Sequence, residues 1–180
     1  MAGLQEVRWL DSGEVSIGET AFIWSGRNDG KYQGGVALAV QRKLMSACVS
    51  WTPINERLLG ARFRHASGFL SFIVVCAPTE NADTSVKAQF YADLQVVIAQ
   101  CGKNDLEVIL GDFNAVTGSS RIQGGTALGP WGSGFPNVNT DVLLSFCRGH
   151  HLGIAGSWFQ RKDIHRFSWI SNDGNTPKGD

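Results

Sequence analysis

Apolar side chains along this chain fall into short runs broken by Gly, Asn, Asp and Pro, a spacing that suits strands better than long helices. "TAFIWSG" (20–26) and "GGVALAVQ" (34–41) read as neighbouring strands joined by the polar loop "RNDGKYQ". The second half of "RLLGARFRH" (57–65) alternates apolar and basic side chains, which gives a strand one dry and one wet face. "GFLSFIVVCAP" (68–78) is apolar and β-branched almost throughout, as a strand covered on both sides should be. "DLEVIL" (105–110) predicts another buried strand, and it runs straight into Gly111-Asp112-Phe113-Asn114.

Between those last two strands the period changes to that of a helix. Asp83, Thr84 and Ser85 supply capping-type side chains, and Val86, Phe90, Leu94, Val97, Ile98 and Cys101 then share one face. Gly102 is placed to close that helix. A Gly-rich stretch, "TGSSRIQGGTALGPWGSGFP" (117–136), is too long to be an idle connection in a compact domain. "TDVLLSFCRGHH" (140–151) predicts a second helix, "LGIAGS" (152–157) a strand and "HRFSWIS" (165–171) a further strand. Strands outnumber helices, and the helices lie between buried strands. The expected class is α/β or layered α+β, with helices covering the outer faces of packed sheets.

Composition narrows this only a little. At 180 residues, 43% hydrophobic and 18% charged, the chain suits one domain with a sizeable core. Sixteen basic residues offset sixteen acidic ones, so there is no global field of the kind that coats nucleic acid, although a basic groove stays open. No stretch reaches the roughly 20 apolar residues of a bilayer span. "MAGLQEVRWL" lacks the basic and apolar regions of a secretory signal, so the expected setting is intracellular, nuclear or cytoplasmic, with no membrane partner. Cys48, Cys76, Cys101 and Cys147 are scattered without a C-x-x-C pair and read as reduced, mostly buried thiols.

Chemistry concentrates at predicted strand ends. Gln5-Glu6 stands near the start, Pro78 ends one buried strand, Asp112 and Asn114 end another, and Asp180 is the last residue. Gly, Asp and Asn at a strand end also favour plain chain reversal, and both readings are open from the residues alone. Glu6, Asp112 and Asp180 are hard oxygen donors, with too few imidazole or thiol groups at ligand spacing for zinc. Mg²⁺ fits better, because one or two carboxylates suffice when water and phosphate oxygens complete the shell.

The order of these pieces carries more than any one of them. "GLQEVRW", "GGVALAV", "NERLLGARFR", "VVCAPTE", "LGDFNA" and "GPWGSGFPNVN…LLSFC", with a later "SW" and a late Asp, resemble the endonuclease/exonuclease/phosphatase superfamily over essentially the whole chain. The likeness is to the endonuclease domains of non-LTR retrotransposons and the craniofacial development protein 2-like sequences derived from them. It implies a four-layer α/β sandwich of the pancreatic deoxyribonuclease type, with the active site at one open end of two packed sheets. It implies Mg²⁺, with Mn²⁺ as the alternative ion, and DNA as the ancestral substrate. In a full-length element a reverse transcriptase would be fused to such a domain.

Carried over, the resemblance makes Glu6 the metal-binding carboxylate and Gln5 its structural neighbour. Asp112 would orient or deprotonate the attacking water, and Asn114 would hydrogen-bond that water or the scissile phosphate. Ser168 takes a position where retrotransposon relatives carry Thr, and Asp180 matches the Asp of the family's "IDH" segment. Trp158, Phe159 and Trp169 lie in segments resembling substrate-facing loops, where aromatics stack on bases; core packing is the other reading of each. "RKDIHR" (161–166) offers phosphate contacts or a solvated charge run.

The same comparison of motifs exposes departures. The family's first strand, which carries an Asn toward the metal, and its closing "SDH" segment have no counterpart in residues 1–180, which therefore read as a partial domain with exposed sheet edges. The Tyr that family members place before "AP", where its hydroxyl reaches the phosphate, is Cys76. Each such group is worth about 10²–10⁴ in rate, so the chain as written is expected to be weakly active or inactive. A non-catalytic fragment that binds DNA or a protein is the second expectation. A phosphatase or poly(A) nuclease on the same scaffold is the third.

Overall fold

The computed structural model describes residues 1–120, 124–160, 167–170 and 177–179, the last two segments by their backbone alone. The chain divides into two compact units. Residues 1–77 and 83–112 form the first, and residues 78–82 and 113–180 form the second.

The first unit holds eight strands and one long helix. Strands β1 (Ala2–Gln5), β2 (Ser12–Ile17), β3 (Thr20–Ser25) and β4 (Val36–Gln41) make an antiparallel sheet in the order β1-β4-β3-β2. Strands β5 (Cys48–Asn55), β6 (Leu58–His65), β7 (Gly68–Cys76) and β8 (Leu106–Asp112) make a second sheet in that order. Helix α1 (Thr84–Gln100) connects β7 to β8, which run parallel, as a crossover connection allows. The two sheets close on a shared apolar core: Ile23, Val36, Leu38 and Val40 face Leu59, Phe63, Val74 and Cys76. Helix α1 buries Phe90, Leu94 and Val97. A Cβ placed at Gly60 of β6 would touch Val97, so the helix lies against that sheet as an outer layer. This is the expected α/β sandwich.

The alternation in "RLLGARFRH" holds, with Ala61 and Phe63 buried between the half-exposed Arg62 and exposed Arg64. Three features of the first unit differ from expectation. Strand β8 is half-buried rather than buried, because it is the edge of its sheet, and Leu106 at its start is 63% exposed. Val86 is exposed on α1. Gly102 does not close the helix in a left-handed turn: Cys101 is extended, and a Cβ on Gly102 would lie 2.5 Å from Asp105 Oδ1. The glycine makes room for the Asp105 carboxylate, which receives Arg62 Nε (2.7 Å), Arg62 Nη2 (2.9 Å) and Ser71 Oγ (2.7 Å).

Strands β1, β2 and β5 carry no legible alternation. Only Gly13 of β2 is half-covered, and β5 holds Pro53 where the β5–β6 register shifts, as edge strands tolerate.

In the second unit, helix α2 (Val138–Gly149) begins two residues earlier than its apolar pattern suggested. Asn137 and Thr140 form a reciprocal capping box that extends the helix into polar sequence. "LGIAGS" is not a strand. It ends in a 3₁₀ turn (Ala155–Ser157), in which Ser157 Oγ donates to Ile154 O (2.6 Å) and accepts from Gly129 N (2.8 Å). Leu152 and Ile154 instead pack on Ala115, Ala127, Leu143 and Cys147. Strand β9 (Phe167–Ile170) lies within the predicted 165–171 and pairs antiparallel with β10 (Pro177–Gly179). All four cysteines are free thiols, with Cys76 and Cys147 buried and Cys48 and Cys101 half-buried.

Candidate active site

Because β7 and β8 are parallel, their C-terminal residues reach the same sheet edge, and Cys76 stands opposite Asp112. The residue before Asp112 has to be glycine. Gly111 has φ of 150°, and a Cβ there would meet the Val75 carbonyl oxygen at 1.9 Å. Ala77 N–H then donates to Asp112 O (2.8 Å), which fixes the backbone that presents the carboxylate.

Strand β1 crosses β7 and β8, with a Cβ at Gly3 falling 2.8 Å from Leu110 Cβ and 3.2 Å from Val74 Cγ1. Glu6 therefore emerges at that same edge. Its backbone is held in the left-handed region, φ 53°, which a non-glycine residue occupies only when its surroundings force it. The restraints are visible. Val7 N–H donates to Gly35 O (3.2 Å), Arg8 N–H donates to Gly34 O (2.8 Å), and Glu6 Oε2 accepts Gly34 N–H (3.2 Å). Both glycines have positive φ, 65° and 91°, so "QGG" (33–35) is the cradle that seats Glu6, and the strand expected from Gly34 begins only at Val36.

Glu6 Oε1 lies 4.0 Å from Cys76 Sγ. Burial, with the Glu6 and Asp112 carboxylates beside it, pushes the Cys76 thiol up to about 11, and Arg57 acts in the opposite direction. Two acidic groups from distant parts of the sequence thus converge on one thiol. Beside them a cleft of about 310 Å³ is lined by Glu6, Gln33, Gly34, Arg57 and Cys76, with the Arg27–Glu56 pair (3.5 Å) at its side.

Asn114 belongs to the second unit and is also left-handed, φ 49°. Its carbonyl accepts from Asn137 Nδ2 and Asn139 Nδ2, each at 3.0 Å. Asn139 is 4% exposed, and its Nδ2 also donates to Pro78 O (3.0 Å). Its Oδ1 is buried and has no hydrogen-bond partner among the described residues. The start of α2 therefore clamps the segment after "GDFN". Sequence reasoning missed Gly34, Gly35, Arg57, Asn137 and Asn139. The one signal was "NVNT" (137–140), whose side chains suit a helix N-terminus.

Trp158 and Phe159 are 42% and 66% exposed, so neither is a core residue. Ser168 and Trp169 lie on the backbone of β9, and their side chains are outside the described residues, as are Asp180 and "RKDIHR" (161–166).

Among the described residues there is no group of three His, Cys, Asp or Glu side chains arranged to hold a metal. A hard cation that keeps most of its water asks for less. Glu6 spends one carboxylate oxygen on the Gly34 N–H and presents the other toward Cys76, where the Asp112 charge is also felt. These oxygen donors suit a hard divalent cation that keeps most of its water.

A sandwich that brings Glu6 and Asp112 to one sheet edge defines a phosphodiesterase- or nuclease-type scaffold, and the chain belongs to the Endonuclease/Exonuclease/phosphatase family, which residues 2–175 match. That family is in general divalent-metal dependent. Among individual proteins, the chain is 33% identical over 172 residues to craniofacial development protein 2 of Tragulus javanicus, covering 96% of this chain and 29% of that protein. It is 32% identical over 172 residues to craniofacial development protein 2 of Bos taurus, covering 96% of this chain and 28% of the relative. The chain thus spans less than a third of the length of these curated relatives.

Proposed function

We propose that this chain is a retrotransposon-type endonuclease domain that hydrolyses DNA phosphodiester bonds with Mg²⁺, or Mn²⁺ in its place. The observation that carries the reading is the convergence of Glu6 and Asp112 on the Cys76 thiol at one sheet edge. Glu6 would hold the ion, which when bound supplies positive charge against the phosphate oxygens. Asp112, on a backbone fixed by Gly111 and Ala77, would take the proton of the attacking water. Asn114, its main chain clamped by Asn137 and Asn139, would direct its amide at the water or the scissile phosphate. The exposed Trp158 and Phe159, with Trp169, would stack on bases, and Ser168 and Asp180 would complete the phosphate contacts. In an intact element the partner would be a fused reverse transcriptase.

Nicking of supercoiled plasmid by the full chain, in Mg²⁺ and in EDTA, tests this. Asp112→Asn should lower the metal-dependent rate by about 10² or more. Equal nicking by wild type and variant, or nicking in EDTA, would overturn it. The second reading is a DNA-binding fragment without catalysis, favoured by the weakly donating Cys76 thiol where the resemblance expects a tyrosine hydroxyl. It requires DNA affinity that is the same in Mg²⁺ and in chelator and unmoved by Asp112→Asn.

A further inference from the structure

The cleft beside Glu6 contains two arginines, and their surroundings differ. Arg27 is committed to carboxylates: Nε and Nη2 donate to Asp29 at 2.9 and 2.5 Å, and Nη1 reaches Glu56 at 3.5 Å. Arg57 makes no ion pair among the described residues. Its Nη1 donates to the Cys76 carbonyl oxygen (3.2 Å), and no other guanidinium N–H has an acceptor there.

Its main chain, by contrast, is tightly held. Arg57 N–H donates to Asn55 Oδ1 (2.9 Å), Arg57 O accepts Cys76 N–H (3.0 Å), and Asn55 Nδ2 donates to Asp93 (3.2 Å). The result is a half-buried cation, anchored by one donor and aimed along the wall that Glu6, Gln33 and Cys76 also line.

A structural arginine in that position would face a carboxylate, as Arg62 faces Asp105. An arginine kept for a ligand leaves its planar fork for an incoming anion, and a tetrahedral phosphate oxyanion matches that fork. The need is electrostatic as well. Glu6 and Asp112 place two negative charges beside the cleft, which repel a phosphate unless a fixed cation offsets them. The side chain at position 76 is a thiol, which donates only weakly to such an anion.

We propose that Arg57 is the residue that binds the substrate phosphate in the cleft between Glu6 and Cys76, with the Gln33 amide beside it. The inference rests on the phosphodiesterase reading above for its substrate, and on the cleft alone for its anion.

Inorganic phosphate titrated into the isotope-labelled full chain and followed by NMR tests it, with chloride at equal ionic strength as control. The Gly34, Arg57 and Cys76 amide resonances should shift saturably in phosphate and stay still in chloride. Arg57→Gln should weaken that response at least tenfold, and Arg57→Lys, which keeps the charge without the fork, should fall between. In plasmid nicking, Arg57→Gln should raise KM about tenfold and flatten the dependence of log affinity on log salt by roughly 0.9, one phosphate contact.

Wild-type resonances indifferent to phosphate would overturn the proposal without any variant. So would an Arg57→Gln chain that binds phosphate and nicks DNA as the wild type does, and that result would leave the phosphodiesterase reading intact. Phosphate shifts at Gly34 and Cys76 in a chain that never nicks DNA would support the anion site and reject the reaction.

Discussion

The two units of this chain are held together by different means. In the first, two sheets bury a continuous apolar core from Ile23 and Leu38 to Phe63 and Val74, and polar side chains sit at the margins. In the second, among the described residues, Ala115, Ala127, Leu143 and Cys147 form one apolar cluster, and many side chains bond to the main chain. Asn137, Asn139, Thr140 and Ser157 between them satisfy carbonyls and N–H groups of residues 78, 114, 116, 129 and 154. Close glycine contacts complete it: a Cβ at Gly132 would lie 2.1 Å from Gly118 O, and one at Gly129 would lie 2.4 Å from Ser157 O. The difference teaches where each unit is vulnerable. Burial tolerates many sequences of similar volume, whereas a side-chain-to-backbone clamp depends on one group at one place.

Leu38→Ala should show the largest effect. Leu38 is fully buried in the core between the sheets, so truncation should cost about 2–5 kcal/mol in chemical denaturation. Hydrogen exchange should speed most in β3, β4 and β7. Asn139→Ala should come next, at about 1–3 kcal/mol, since it leaves the Asn114 and Pro78 carbonyls short of a donor. Its lost protection should centre on residues 114–118 and the first turn of α2. If the two variants lost protection in the same segments, the contrast between the units would be wrong.

A third test uses pH. The Arg62 guanidinium, with the Ser71 hydroxyl, holds the Asp105 carboxyl down to about 2. A carboxylate depressed in the folded state stabilises fully above its unfolded value near 3.9, and the contribution disappears as pH falls toward 2. Asp105→Asn should therefore be less stable than wild type at pH 6, and the two should converge between about pH 4 and 2 in thermal melts. A constant gap across that range would contradict the assignment. Phe135→Ser should be the smallest change. Phe135 is 93% exposed in the second unit, so its loss should move stability by less than about 0.5 kcal/mol.

Much of the fold was legible in the sequence. The runs of β3, β4, β6 and β7 and the periodic face of α1 follow from apolar spacing, because each must bury one face. Strands β1, β2 and β5 were not, since short or exposed strands are held by backbone pairing, which leaves no pattern in side chains. The strand expected at "LGIAGS" failed for a related reason. Leu152 and Ile154 are half-buried against the second unit's cluster, but Ser157 Oγ satisfies the local carbonyl and turns the chain instead.

By itself the sequence determined the class of sandwich, the acidic and amide residues at the end of β8, and the likeness of its ordered motifs to one family. Tertiary structure alone decided that Glu6 and Asp112 meet at Cys76, that Gly34 and Gly35 hold Glu6 in a left-handed backbone, and that Arg57 makes no ion pair among the described residues. The reason is physical. Burial is periodic along the chain and can be read locally, whereas a site is assembled from strand ends far apart in sequence, whose meeting depends on register and sheet packing.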